Sequence, residues 1–420
     1  MIIFKLAMKS MVSRRLVTTL TVLSIALSTT LLLIVERVRV GARASFVGAI
    51  SQTDLIIGSR GGSLPLLLNS VFHIGSPATN MKYSTFKQIQ ADSKTAWAVP
   101  IVMGDSHRGY RVVGTSQDFF SHFQARRSQK LTFASGNVSD QTFTAVIGSN
   151  VAARLKYKVG GFLALSHGIG EVSFHSHEDR PFLITGILEP TGSPVDRSIY
   201  IPLAGTEAIH ADWHDGAPPR REDAISAQDL AGRTFEVDEI SAVFVGVKSK
   251  GDILNLQRQW SSFRDEPLTA VIPGVALDEL WEGLGYGEEA LRLVAVFVVL
   301  VGLTGMLVSV YNSLSERRRE MAILRSLGAT PSVIFGLLLA EAALLVGGGA
   351  AFGLLLTRVF LTVLQPMIVN QFGLYLTLDS FTSVELIYFS LILVSGVLLG
   401  AVPAWRAYRN SLSDGLVIRL

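Results

Sequence analysis

Residues 293–314 read LVAVFVVLVGLTGMLVSVYNSL, twenty-two positions without a charge. Residues 315–329 follow at once as SERRREMAILRSLGA, with four arginines and two glutamates. A helix needs about 20 mostly apolar residues to cross roughly 30 Å of hydrocarbon. The first stretch therefore reads as a membrane crossing and the second as a basic, helix-prone segment at its end. Three more runs have the same character. Leu16–Val35 and Leu386–Trp405 carry no charge, and Ala342–Thr357 extends back to Ser326 if Glu341 is tolerated. The expected architecture is an α-helical membrane domain with four transmembrane helices, numbered one to four in chain order. The last three fall at about 290–314, 332–357 and 385–405.

Composition supports this. Of 420 residues, 49% are hydrophobic and only 17% are charged, against about 25% charged in an average soluble chain. A net charge of +3, with no basic stripe interleaved with aromatics, argues against nucleic acid as a partner. Cysteine is absent, which removes disulfides and thiolate metal sites and leaves the redox compartment open. The first apolar run has the basic start of a signal peptide, but no small-x-small cleavage site follows it. Glu36-Arg37-Val38-Arg39 follows instead, so the expectation is an uncleaved helix that continues beyond the membrane.

Charge sets the expected orientation. Lys5, Lys9, Arg14 and Arg15 precede helix one, Arg317–Arg319 and Arg325 lie between helices two and three, and Arg406, Arg409 and Arg419 follow helix four. Positive charge favours the cytoplasmic side, which places both termini there. Arg37, Arg39 and Arg43 oppose this, but a long domain translocates regardless of its flanking charge. Residues 36–289 then lie outside the cytoplasm. The expected division is residues 1–48 for an amphipathic segment and helix one, 49–280 for the extracytoplasmic domain, and 281–420 for helices two to four with the basic segment 315–329.

The outer domain shows short β-rich runs bounded by Gly, Pro, Asp or Ser: AWAVPIVMG, YRVVGT, FTAVIG, PFLITGIL, SIYIPL and SAVFVGVKS. Helical candidates separate them at 83–91, 150–156, 205–214 and 252–263, with Asn150 as an expected N-cap. The class is α+β, a large domain inserted between helices one and two. Residues 215–238 read as an exposed loop. In DLIIGSRGGSLPLLLNSVFHIGSP (54–77), Gly58, Gly61 and Gly62 suggest a phosphate cradle, but the chain has no Gly-Lys dipeptide for a Walker motif. Two readings stay open there: a turn followed by an amphipathic segment, or an apolar surface for a lipid-like or peptide ligand.

Candidate chemistry is sparse. His167, His175 and His177 fall near Glu178 and Asp179, while His210 and His214 are spaced i, i+4. Such spacings can ligate zinc, or they are solvated surface histidines. No nucleophile elbow or H-E-x-x-H string occurs, and no carboxylates pair for acid–base work. Glu341, the carboxylate inside a membrane run, should face protein or a water-filled cavity, or lie near the interface. In the basic segment, Met321, Leu324 and Gly328 share one helix face and Arg318 and Arg325 another. Gly328 is the expected C-cap, and Pro331 starts the next helix. Either the segment lies on the headgroups or it docks into a groove on a cytoplasmic partner.

ERRREMAILRSLGA, followed by an apolar segment containing Glu341, resembles the signature of the MacB, LolC/LolE and FtsX permeases, the mechanotransmission (type VII) ABC transporters. FKLAMKSMVSRRLVTTLTVLSIALS resembles that family's amphipathic leading helix and first crossing. TAVIGSNVAARL, VGGFLAL and PFLITGILEPTGSPVDRSIYIPL resemble its periplasmic core, and VPAWRAYRNSLSDGL its exit from helix four. The resemblance implies that 315–329 is a coupling helix seated on an ATPase. Glu316, Arg318, Glu320, Arg325 and Gly328 are then the residues that contact the ATPase or shape the helix, and Glu341 matches the acidic residue of the next helix. With no Walker A or signature motif in this chain, it implies no enzymatic activity and no cofactor of its own. ATP and Mg would be bound by a partner, a cytoplasmic ABC ATPase dimer. It further implies a second permease copy, identical or related, a possible periplasmic adaptor or substrate protein, and a place in a bacterial inner membrane. The expected cargo is a lipoprotein, peptide or hydrophobic compound. Two alternatives are a regulator of FtsX type that activates an extracytoplasmic cell-wall hydrolase without moving cargo, and a membrane-anchored sensor or enzyme with no ATPase.

Overall fold

The computed structural model describes residues 2–50, 52–75, 79–125, 129–167, 179–213, 225, 229–230, 232–316, 318–372 and 381–413. Backbone alone is described at 2, 167, 315–316, 318–320, 370–372 and 410–413. The chain divides into two units. One holds Met1–Gly41, Gly285–Pro366 and Leu376–Leu420, and the other Ala42–Leu284 with Met367–Tyr375.

The first unit is built on four helices long and apolar enough to cross a membrane, within Arg15–Ala49, Pro273–Leu314, Pro331–Val369 and Ser383–Arg409. All are longer than their charge-free runs. Helix one continues unbroken through Glu36–Arg39, and helix two begins at Pro273, well before its apolar part. Ile25, Leu32, Val299, Met306, Leu345, Val346 and Ile392 bring all four helices into one buried cluster. Leu293, Phe297, Val301, Leu355 and Leu398 stay exposed, as lipid-facing side chains do.

Lipid is as apolar as leucine, so such helices associate through close packing at small residues. A Cβ on Gly353 would stand 2.8 Å from the carbonyl oxygen of Ala26, and one on Gly400 would stand 2.3 Å from the Cβ of Ala342. Helices one and three, and three and four, thus approach where only glycine fits. Helix four starts with a reciprocal cap: Glu385 N donates to Thr382 Oγ1 (3.4 Å), and Thr382 N donates to Glu385 Oε2 (3.1 Å).

The second unit is organised by an eleven-stranded mixed sheet, its path running Leu268–Val271, Leu55–Ser59, Ala242–Val247, Thr95–His107, Tyr110–Thr115, Ser198–Pro202, Thr144–Ile147, Phe182–Leu188 and Phe133–Gly136. Pairing is antiparallel except for Ser198–Pro202 on Tyr110–Thr115 and Phe182–Leu188 on Thr144–Ile147. Both faces are covered. Ile56, Val99, Ile101 and Phe244 join Leu67, Phe72 and Leu277 on one side. Leu55, Ile57, Val243 and Val245 join Phe86, Ile89, Leu256 and Trp260 on the other. Burial on both faces explains why these strands are continuously apolar.

Local expectations are refined in three places. In 54–77 a strand, LIIGS, lies beside the sheet's edge with the side chain of Leu66 packed over Gly58. The expected turn and amphipathic segment follow it as a turn at Gly61 and the helix Ser63–Ser70. The glycines there serve close packing and a turn, since Gly61 N donates to Thr269 Oγ1 (3.0 Å). The helix expected from Asn150 spans Ser149–Leu155 with Gly148 at its N-cap. A Cβ there would strike the carbonyl oxygens of Val195 and Asp196, so glycine is needed before the helix starts. The helix expected over 205–214 spans Leu203–Ala208 and leaves His210 in a turn.

Replacing Gly353 by Val tests the membrane packing. G353V should lower the melting temperature of the full chain in detergent by several degrees. G348V should be silent, because nothing lies within 4 Å of a Cβ at Gly348. Equal effects would contradict the close approach of helices one and three.

Candidate functional site

The basic segment forms a short helix, Arg318–Ser326, between helices two and three. Its end is closed by two crossed hydrogen bonds: Gly328 N donates to Arg325 O (2.9 Å) and Ala329 N to Leu324 O (3.0 Å). Gly328 has φ +94°, so this is a Schellman cap with glycine at the left-handed position. Val333 N then donates to Thr330 O, and Pro331 opens helix three. The hairpin therefore has a fixed geometry.

Its inner face is Met321, packed with Ile334, Leu338 and Ala404 of helices three and four. Its outer face shows what the sequence pattern did not single out: Ile323 is 57% exposed and Leu327 80%, at i, i+4 on one side of the helix. Arg325 is half-buried and Gly328 exposed. Glu316 and the pair Arg318 and Glu320 fall on backbone-only positions, so their side chains lie outside the described residues. Glu341 is buried (6% exposed) within helix three.

Farther along helix three, about 40 Å beyond Pro331, lies a buried charge cluster. Arg37 Nε and Nη2 donate to the two oxygens of Glu385 at 2.6 and 2.8 Å, and Arg358 Nη2 donates to Glu385 Oε2 at 3.3 Å. Helices one, three and four meet there. Removing the carboxylate would take its two-pronged partner from the buried Arg37, and breaking a buried ion pair in this way typically costs about 3–5 kcal/mol. A neighbouring cluster ties helices one and two: Glu36 accepts from Arg39 (2.6 Å) and Arg292 (3.4 Å), and Arg39 also faces Glu288 (3.9 Å). In the sheet-built unit the same two helices meet again. Phe46 packs edge-on against Trp281 at 5.5 Å, Arg43 lies over that ring at 5.8 Å, and Arg43 is 4.0 Å from Asp278.

The sheet-built unit also holds a cavity of about 440 Å³, bordered by Phe46, Phe72, His73, Ile74, Arg111 and Arg197. His73 Nδ1 is 2.7 Å from Ser198 Oγ, whose own proton goes to Pro194 O at 3.0 Å. The imidazole thus donates through Nδ1 and keeps Nε2 as an acceptor. Burial pushes His73 down to about 4, and the nearby Arg111 cation acts in the same direction. The ring is neutral at physiological pH.

Among the described residues the histidines do not assemble a site. His210 Nδ1 is 2.9 Å from Thr206 O and its ring packs on Trp213, a local role at a helix end. His167 is described by backbone alone, in register with Asp105. His175, His177, Glu178 and His214 lie outside the described residues. Among the described residues no group of three or more His, Asp or Glu could hold a metal ion.

Comparison with known proteins fits this architecture. Residues 18–260 match the MacB-like periplasmic core domain, and residues 292–412 match the FtsX-like permease C-terminal domain. The chain belongs to the MacB/FtsX type of ABC transporter permease. Its relatives include the macrolide export ATP-binding/permease protein MacB of Escherichia coli K12, 24% identical over 351 residues. That alignment covers 80% of this chain and 49% of the relative. The protein of the same name from Shigella boydii serotype 4 is 24% identical over 352 residues, with the same coverage. The chain thus spans about half the length of the curated relatives it matches. Two solved structures also match. The periplasmic region of MacB from Actinobacillus actinomycetemcomitans has 12% identity, a TM-score of 0.33, and coverage of 56% of this chain and 97% of that one. The extracellular domain of the transporter YknZ from Gram-positive bacteria has 12% identity, a TM-score of 0.30, and coverage of 51% and 98%.

As a permease of this type, the chain should show a titration at His73. Its folded value lies below the ordinary 6.5, so as pH falls the unfolded chain takes up the proton first. The contribution to stability is complete above about 6.5 and is lost progressively towards about 4. The melting temperature of the full chain should fall across that window, and H73Q should flatten the fall. An unchanged slope in H73Q would contradict the neutral imidazole.

Proposed function

We propose that the chain is the transmembrane subunit of a bacterial inner-membrane ABC complex, worked by an ATPase that another chain supplies. Both termini and the hairpin around 315–329 face the cytoplasm, and residues 49–280 face the periplasm. Two copies, or this chain and a related one, sit over a cytoplasmic ATPase dimer that binds ATP and Mg. The hairpin is the coupling helix. Glu316, Arg318, Glu320 and Arg325 contact the ATPase, Gly328 fixes the helix end, and Ile323 and Leu327 enter its groove. ATP-driven closure pushes the hairpin, and helices one and two carry the displacement to the periplasmic domain. That domain then releases or expels a lipoprotein, peptide or hydrophobic compound, with a periplasmic adaptor where one is present.

The observation that carries this reading is the hairpin. A capped, rigid helix is seated on helices three and four through Met321 and presents two large apolar side chains outward. Apolar side chains at i, i+4 on a helix are what a groove recognises. A helix held in one geometry transmits a push, because packed elements shift between discrete arrangements and do not deform smoothly.

The test is co-purification and stimulated ATP hydrolysis. Wild-type chain in mild detergent should retain a nucleotide-binding protein whose hydrolysis it stimulates. L327D, and separately the pair E320A/R325A, should reduce both by at least about tenfold while membrane insertion is unchanged. Full stimulation in these variants would overturn the coupling assignment, as would wild-type chain that retains no nucleotide-binding protein.

A further inference from the structure

The cavity beside His73 has no part in the coupling scheme, yet its chemistry is specific. Its volume, about 440 Å³, falls in the range of about 300–1,000 Å³ that small-molecule sites occupy. One wall is apolar: the Phe46 and Phe72 rings lie 4.5 Å apart, and Ile74 is 55% exposed beside them. The other is polar. Arg111 and Arg197 border the cavity, and among the described residues none of its lining side chains is a carboxylate. The acid nearest in sequence, Asp196, is 2% exposed and already engaged. It accepts from Thr191 N (2.7 Å), Thr191 Oγ1 (2.8 Å) and Gly192 N (2.7 Å).

Arg111 is the decisive residue. It is half-buried, and its one hydrogen bond among the described residues goes to a backbone carbonyl, that of Gly75. Loss of hydration pulls its pKa down from the ordinary arginine value, as expected for a cation drawn from water with no anion beside it among the described residues. A guanidinium has five N–H donors in a planar fork suited to a carboxylate or phosphate. A cationic ligand would be repelled by Arg111. A neutral hydrocarbon would fill the apolar wall but leave Arg111 uncompensated.

We propose that this cavity binds an amphiphile with a single anionic head and an apolar tail, the head on Arg111 and the tail against Phe46, Phe72 and Ile74. The shared chemistry is that of a free fatty acid or an acidic lipid headgroup with short chains. The proposal deepens the permease reading by naming a class of molecule the periplasmic domain takes. Its test uses no ATPase or nucleotide, so its failure leaves the coupling assignment standing.

The full chain, in nanodiscs of zwitterionic lipid, is exposed to a decanoate bearing a photoreactive diazirine, and labelled peptides are identified by mass spectrometry. Labelling should concentrate on the peptides containing Phe46 and Phe72–Gly75. Excess octanoate or short-chain phosphatidic acid should suppress it by at least about tenfold, and the better competitor identifies the source; octanol and octyltrimethylammonium should not. R111Q should lose the labelling. I74E, placed at an exposed position where folding is not at stake, should lose it too, by putting a charge where the apolar tail would lie. Labelling confined to the crossing helices, equal competition by octanol, or full labelling of folded R111Q or I74E would each overturn the proposal.

Discussion

Hydrocarbon does not accept an isolated charge, and the arrangement of the first unit follows from that constraint. Many charges on or beside the four crossing helices go to one of two places. Some collect in the hairpin between helices two and three. Others gather around buried carboxylates, as Arg37 and Arg358 do at Glu385 and Arg39 and Arg292 do at Glu36. The first group marks where the proposed coupling helix would meet water and its partner. The second holds helices together where leucines cannot, since lipid competes equally for apolar surface. Glycines at 353 and 400 let the backbones come close enough for dispersion and packing to supply the rest.

This division gives the mechanism its parts. The hairpin is fixed by its glycine cap below and by Met321 above, so a force on Ile323 and Leu327 is not lost in local bending. Helices one and two are paired by ions within the first unit and by the Phe46–Trp281 contact within the second. A pair of helices held in each unit is suited to couple two sites, provided that both bias one two-state element. The sheet-built unit contributes a stiff body with a core on both faces and a cavity of defined chemistry.

Much of this was legible in the sequence. Charge-free runs of membrane length identified all four crossing helices, because hydrocarbon thickness fixes their length. The strands YRVVGT and SIYIPL and the cap at Gly328 followed from local patterns with one dominant physical cause. Other features depended on partners distant in sequence. LIIGS was not singled out as a strand, because the strands it pairs with, Ala242–Val247 and Leu268–Val271, are about two hundred residues away. Arg37 and Arg39 looked like signals of topology, and nothing local announced Glu385, 348 positions on, as the partner of Arg37. Pairing i, i+4 histidines assumed a helix that stops at Ala208. In the hairpin, periodicity found two faces but not which one packs inward, so Ile323 and Leu327 were passed over in favour of the charges.

The central claim is that the hairpin lies in the cytoplasm and is gripped there. The chain has no cysteine, so a single L327C substitution gives one reactive thiol at a position that is 80% exposed. A membrane-impermeant maleimide applied to intact spheroplasts and to inverted vesicles reads its side directly. The account predicts labelling only in inverted vesicles, with protection when the ATPase is bound. Labelling of the thiol in intact spheroplasts would contradict it.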